Sequence, residues 1–274
     1  MDSVDGNMSN RILYKYLDID GALAMLEKRT IRFTNATQMN DPFDCHPSLI
    51  DFSNASEGAV TEEWGRLMVE TEVNRAKNLR MDTWLCCLSK NFNSILMWSH
   101  YGRNHTGVCV GFNVDRVLKS VPPLFGTYYL EPFLMEVNYK DILERPKVCC
   151  KSQSLWEYQL TTKAKDWEYE QEVRLVMDKP TRQYCTYTKE VFDKMKERRR
   201  FIHDSEIPRD MPLKDDLCFD CIYLGANISA KNKDKIIKYA RNLNPIIRIH
   251  QMQVDEFAFR LKTKEINPPH PRLF

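Results

Sequence analysis

Glycine is scarce in this chain, nine residues in 274, and the loops that wrap phosphate groups in backbone N–H donors depend on it. Neither Gly-x-x-x-x-Gly-Lys-Ser/Thr nor Gly-x-Gly-x-x-Gly occurs, which argues against P-loop hydrolysis and a Rossmann dinucleotide site. His-Glu-x-x-His and Gly-x-Ser-x-Gly are missing too. No apolar run approaches the length of a membrane span, and Met1 to Asn10 is polar without a signal-type apolar core, so a soluble cytoplasmic protein with no membrane partner is expected. Excess charge is also lacking: a net +2 argues against a broadly basic nucleic-acid binder and leaves only local patches such as Lys194 to Arg200. The nine cysteines form no regular framework. Their odd number and the vicinal pairs Cys86-Cys87 and Cys149-Cys150 fit a reducing compartment. Cys218 and Cys221 have ligand spacing but no second pair at a finger-like distance, so no metal is expected.

A 43% hydrophobic and 28% charged composition is that of a globular protein large enough for a sizeable core. The expected organisation is a disordered N-terminus at 1–10, one domain over 11–265 and a C-terminal tail at 266–274. Arg11 to Leu17 reads as a strand carrying Tyr14 and Lys15. Asp20 reads as a cap to a helix through Lys28, and Thr30 to Thr34 as a strand with Ile31 and Phe33 on one face. Gln38 to Asp44 is a turn in which Asn40 and Asp41 favour local side-chain bonds and Pro42 fixes φ, either a structural Asx turn or a metal or substrate contact. Thr61 to Arg80 opens with a capping-box-like start to an exposed helix.

Trp84 to Leu88 reads as a buried strand ending at Ser89. Asn93 to Gly102 reads as a helix with Ile95, Leu96, Trp98 and Tyr101 inward, and Asn104 to Phe112 as a loop and strand. Each histidine singly suits a packing role. Trp98, His100, Tyr101 and His105 together, with Ser89 before them, suggest one pocket shared with Glu172, with His100 off the helix face unless the helix end turns. Phe133 to Tyr139 is a strand, Trp156 to Lys165 a helix, Tyr187 to Phe201 a charged helix and Ile207 to Asp216 a loop. Phe219 to Leu224, Ser229 to Leu243 and Ile246 to Met252 finish as strand, helix and strand.

The centre of the sequence is Trp167 to Met177, in which Glu168, Glu170 and Glu172 alternate before Leu175, Val176 and Met177. Extended, the three carboxylates would share a face about 7 Å apart; helical, Glu168 and Glu172 would still repel at i,i+4. Two readings stay open: a solvated edge neutralised by Lys163, Lys165 and Arg174, or a catalytic carboxylate at the mouth of a strand. On the second, Glu172→Gln should abolish activity and, by relieving repulsion, leave stability level or raised.

Tyr14-Lys-Tyr-Leu17, Asn40-Asp-Pro-Phe-Asp44, Cys87-Leu-Ser89, Met97-Trp-Ser-His-Tyr-Gly102, His105-Thr-Gly107 and Trp167-Glu-Tyr-Glu-Gln-Glu-Val-Arg174 together resemble the bacterial domain-of-unknown-function family numbered 2971. The order Tyr14-Lys15, Ser89, then Glu170-Gln-Glu172 is also similar to the mono-ADP-ribosyltransferases. In those enzymes an Arg or His on the first strand, a Ser-bearing strand and a Glu-x-Glu or Gln-x-Glu form the NAD site.

That second resemblance implies an α+β domain with a mostly antiparallel split central sheet flanked by helices, and an NAD-using ADP-ribosyltransferase or NAD glycohydrolase acting as a toxin or phage-defence effector. It makes NAD the substrate and places a macromolecular acceptor beside it. Glu172 stands at the catalytic glutamate, which stabilises an oxocarbenium-like centre, and Glu170 at the acceptor-orienting position. Tyr14, Lys15, Arg32, Ser89, Trp98, His100, Tyr101 and His105 are the expected NAD contacts, with Asn40, Asp41, Asp44 and Arg174 completing the pocket. Lys15 departs from the Arg or His of that family, giving a point charge where a planar fork is usual, and Arg32 could substitute. The alternatives are a metal-dependent nucleic-acid enzyme or binder using Asp41, Asp44 and the glutamates, and a non-catalytic interaction module whose acidic row is a docking face.

Overall fold

A computed structural model describes residues 11–120, 132–148, 154–178 and 209–266. The expectations for 1–10, Cys149-Cys150, Tyr187 to Phe201 and 267–274 lie outside the described residues. Among those described, ten strands form one mixed sheet, and the fold is α+β with a mostly antiparallel sheet. Its main path runs β12 (Leu261–Glu265), β11 (Arg248–Val254), β10 (Phe219–Leu224), β4 (Val108–Asn113), β1 (Ile12–Leu17), β3 (Thr83–Ser89), β2 (Thr30–Asn35), β9 (Arg209–Pro212). Strand β8 (Glu172–Asp178) joins β3, and β5 (Phe133–Glu136) joins β8. Only β10 and β11 pair in parallel within this sheet. A separate parallel pair joins β6 (Asn138–Lys140) to β7 (Thr162–Ala164). No described helix is long and apolar enough to cross a membrane.

Strand β3 is where the sheet divides. Strand β8 pairs with its whole length, from Thr83↔Asp178 to Ser89↔Glu172. The opposite edge is shared, with β2 held at Leu85 and Trp84 and β1 touching only at Tyr14↔Ser89. Strands β1 and β2 therefore diverge along one edge of β3 and leave a cleft, in which Lys15 Nζ donates to the Cys87 carbonyl at 3.2 Å.

Every residue of β4 is buried, and alternate side chains enter different clusters, so the sheet is covered on both faces. Val108, Val110 and Phe112 join the larger core beneath α1 (Ile19–Lys28), which packs against the C-terminal helix Ala230–Leu243. Cys109 joins Tyr16, Trp98 and Tyr223 in the second cluster. The helix Ile95–His100 closes that second face and turns back at Gly102. The return is tight: a Cβ on Gly107 would lie 2.2 Å from the Leu17 carbonyl oxygen, so this close backbone approach requires glycine.

Several sequence expectations are corrected. Asp18, not Asp20, caps α1, accepting from Gly21 N–H at 2.7 Å. Ile95 and Leu96 face solvent, because a helix this short buries only Met97 and Trp98. The expected helix Trp156 to Lys165 ends at Thr161 and gives way to β7. Strand β9 lies within the expected loop Ile207 to Asp216, its proline tolerated because the strand is at the sheet edge. The polar edge strand β12 was not expected.

Candidate functional site

The carboxylate stretch is not one extended row. Lys165–Glu170 forms a 3-10 turn, and Gln171 takes the left-handed conformation (φ 43°, ψ 51°) before β8 begins at Glu172. Ser89 fixes this turn: its hydroxyl donates to the Glu170 carbonyl at 2.6 Å and accepts from Asn91 N–H at 3.0 Å. Glu168 is left in solvent while Glu170 and Glu172 are each 4% exposed. The acids are therefore neutralised inside the protein and not along a wet edge. Lys165 alone of the three expected cations stays outside, paired with Asp141.

Arg174, fully buried, commits all five of its N–H donors. Its Nε donates to Glu172 Oε1 at 2.8 Å, and its Nη2 to Glu172 Oε2 at 3.2 Å and Asp44 Oδ2 at 2.8 Å. Nη1 donates to the Leu160 carbonyl at 2.7 Å and contacts Cys45 Sγ at 3.2 Å. Lys163 Nζ reaches Glu170 Oε2 at 2.5 Å, Glu172 Oε2 at 3.1 Å and Asp44 Oδ2 at 3.8 Å, and lies 4.9 Å from the Trp167 ring centroid. Tyr101 donates to Glu170 Oε1 at 2.6 Å and accepts from Asn40 Nδ2 at 3.0 Å. Motifs far apart in the sequence thus meet in one network: Asn40 and Asp44 from the turn, Tyr101 from the helix end, Glu170 to Arg174 from the acidic stretch.

This arrangement separates the two glutamates electrostatically. Burial alone would raise the Glu172 carboxyl, but the adjacent Arg174 and Lys163 cations hold it well below the usual carboxylate range. For Glu170 burial prevails over Lys163 and Tyr101, and its carboxyl is raised. Burial and the Glu170 contact push the Tyr101 phenol up, and Tyr139, whose oxygen accepts from Glu172 N–H at 2.8 Å, is pushed up to about 12 chiefly by burial. A depressed carboxyl contributes stability that is whole above its unfolded-state pKa and is lost as pH falls towards and through the folded-state value. The Glu172 contribution to stability should therefore be whole down to about pH 5 and fall as pH drops below the ordinary glutamate value of about 4.3. Glu170, whose carboxyl is raised, contributes in the opposite sense, so the Glu172 part is read as the difference in thermal midpoint between the parent and Glu172→Gln. A difference that stays level well below that value would contradict the ion pairing of Glu172.

A cavity of about 270 Å³ lies in the split above this network. Among its lining residues are Tyr14, Lys15, Asn40, Asp44, Ser89, Tyr101, Glu170 and Glu172, all expected at the site. Arg174 lies against it through Glu172 and Asp44. The other expected residues are elsewhere. Arg32 forms a two-point ion pair with Asp210 on β9 (2.6 and 2.8 Å) and cannot stand in for Lys15. Asp41 makes the Asx turn, accepting from Phe43 N–H at 2.9 Å. Trp98 is 0% exposed, donates to the Phe92 carbonyl and packs edge-on to Tyr16, so it belongs to the core. His105 stacks on Trp98, and His100 contacts the Tyr169 hydroxyl at 3.0 Å on the exposed side. The single-pocket expectation holds for Tyr101 and fails for Trp98, His100 and His105.

Sequence reasoning missed Lys163 as a site residue. Its signal was the surplus of carboxylates seven and nine positions later, which a buried cation at 163 balances. The metal reading fits poorly with the donor set: the oxygens of Asp44, Glu170 and Glu172 already accept from Lys163, Arg174 and Tyr101, and a dication would have to displace two buried cations.

Neither a curated protein nor a solved structure matches this chain. The model of one family does match, over residues 97–175, the span that holds Tyr101, Lys163, Glu170, Glu172 and Arg174, and the chain is similar there to the family described as Protein of unknown function (DUF2971).

Proposed function

We propose that the cleft binds NAD and breaks its nicotinamide–ribose bond, passing the ADP-ribosyl group to water or to a nucleophile on a macromolecular acceptor. One observation carries this reading. Tyr14, Ser89 and Glu172 are register partners across β1, β3 and β8, at the point where the sheet splits. Tyr14 with Lys15, which stands where that family has Arg or His, Ser89 and Glu172 thus line one cavity, which supports the reading.

The chemistry suits the lining. The C1′–N bond breaks with its electron pair leaving on nicotinamide, and positive charge develops on the ribose, where fixed carboxylates stabilise it. Glu170 and Glu172, on either side of Gln171, bring two carboxyls of opposite proton affinity to this place, a pattern that separates acid–base roles. Lys15 offers a compact positive charge to a phosphate, and Tyr14, Tyr16 and Met97 offer apolar surface to a ring. A cavity of this volume, at the small end for ligand sites, suits the nicotinamide riboside half, with the remainder of the dinucleotide lying across the open mouth.

Incubation with NAD should release free nicotinamide without added metal, and NAD at a hundredfold excess over its dissociation constant should stabilise the fold by about 2.7 kcal/mol. No release and no thermal shift, with the same result after adding candidate acceptors, would overturn the proposal.

A further inference from the structure

We propose that Glu170, and not Glu172, is the carboxylate that meets the substrate, and that Tyr101 and Asn40 are the residues that position it. This rests on the reading of the cleft as an NAD-cleaving site and takes from Glu172 the catalytic role that the resemblance implies for it, while Glu170 keeps its place beside the acceptor.

Glu172 is already committed. Both of its oxygens accept from the Arg174 guanidinium, and Oε2 also accepts from Lys163. Arginine stays protonated throughout the working pH range, so the charge of Glu172 is permanently matched by a cation in contact with it. A carboxylate held in this way has little left to offer a positive centre developing on a substrate. Removing its charge would leave Arg174 buried with only Asp44 as an anionic partner.

Glu170 is held differently. Lys163 takes one oxygen, while the other accepts from the neutral hydroxyl of Tyr101. That hydroxyl has a defined direction: its oxygen receives the Asn40 N–H, so its own proton points to Glu170. Asn40 is exposed and Tyr101 half-buried, so the chain Asn40, Tyr101, Glu170 runs inward from solvent along the cavity wall. Lys163 and Arg174 face Asp44, Glu170 and Glu172, one carboxylate more than the two cations. Arg174 binds Glu172 and Asp44 directly but not Glu170, whose cation, Lys163 at 2.5 Å, also reaches Glu172 and Asp44, so Glu170 is the glutamate that no arginine fork holds.

The step then balances. As the acceptor O–H or N–H attacks C1′, its proton passes to the Glu170 carboxylate, the new C1′ bond forms, and the C1′–N electron pair leaves on nicotinamide. Tyr101 and Asn40 do not touch the reacting atoms. They hold the Glu170 carboxyl in one orientation and, by hydrogen bonding to its ionised form, limit how far burial raises its proton affinity.

Four variants test this with three readouts: nicotinamide release as a function of pH, the titration of the residue 170 carboxyl followed by ¹³C NMR of glutamate-labelled protein, and the thermal midpoint. Glu170→Gln should fold, with a smaller loss of thermal midpoint than Glu172→Gln, and lose on the order of 10²–10⁴-fold in release. Tyr101→Phe should fold and move the Glu170 titration midpoint upward, carrying the acidic limb of the release profile with it; Asn40→Ala should do the same by less. A folded, inactive Glu172→Gln beside an active Glu170→Gln would overturn the assignment. So would a Tyr101→Phe protein whose Glu170 titrates as in the parent. If the parent protein releases no nicotinamide, the NAD reading fails by itself, and the titration still decides whether Tyr101 and Asn40 govern Glu170.

Discussion

Arg174→Ala is expected to cost about 3–5 kcal/mol of folding stability, the usual penalty for breaking a buried ion pair from one side. The guanidinium touches Glu172, Asp44 and the Leu160 carbonyl together, and it is fully buried. Its removal leaves two buried carboxylates with Lys163 as the cation in contact with both. Against a typical total stability of about 5–15 kcal/mol, the variant should lose a large share of its stability and show a clearly lowered thermal midpoint. Arg174→Lys should recover little, because an ammonium cannot reproduce the fork that holds both Glu172 oxygens. Urea denaturation gives the difference directly, and a loss below about 1 kcal/mol, in the range of a surface pair, would show that the network is wet.

Trp98→Ala carries a comparable cost, about 3–5 kcal/mol for emptying a fully buried aromatic site. The indole packs on Tyr16, stacks with His105 and donates to the Phe92 carbonyl at 2.8 Å. Its loss therefore opens a void and orphans a backbone acceptor at once. Because Trp98 does not line the cavity, nicotinamide release per folded molecule should be retained at low temperature with the fold saturated by ligand. A small stability loss with a large loss of release would return Trp98 to the pocket that the sequence suggested.

Regular elements were legible wherever the pattern was strong. Thr61 capped its helix as expected, its Oγ accepting from Trp64 N–H, and the buried strands β3 and β4 stood where continuous apolar runs placed them. The alternation in the acidic stretch leaves extended and helical forms open; tertiary ion pairs and Ser89 impose a 3-10 turn through Glu170 and a left-handed Gln171, and the strand begins at Glu172. A solvated edge neutralised by Lys163 and Arg174 is one of the two readings the sequence leaves open, with Arg174 a pocket residue on the other, because such side chains are seldom fully buried. That expectation, sound for most chains, fails here because three carboxylates accompany them inside.

The stability consequence of Glu172→Gln reverses for the same reason. Like-charge relief was the expected effect, but with Glu168 in solvent and Arg174 against Glu172 the dominant effect is an unpaired buried guanidinium, so stability should fall. Strand β12 escaped notice because Leu261 alone of its residues is buried and an edge strand shows little hydrophobic alternation. The site was legible as motifs but not as a geometry, since β1, β3 and β8 become neighbours only through pairings distant in sequence.

The most direct test is a crystal structure of the Glu170→Gln protein soaked with NAD, a variant chosen so that the bond stays intact. The account expects the nicotinamide ring in the cavity between β1 and β2, its ribose within hydrogen-bonding distance of the side chain at position 170, and a phosphate near Lys15. A dinucleotide bound away from the split, or a split that stays empty at saturating NAD, would contradict it.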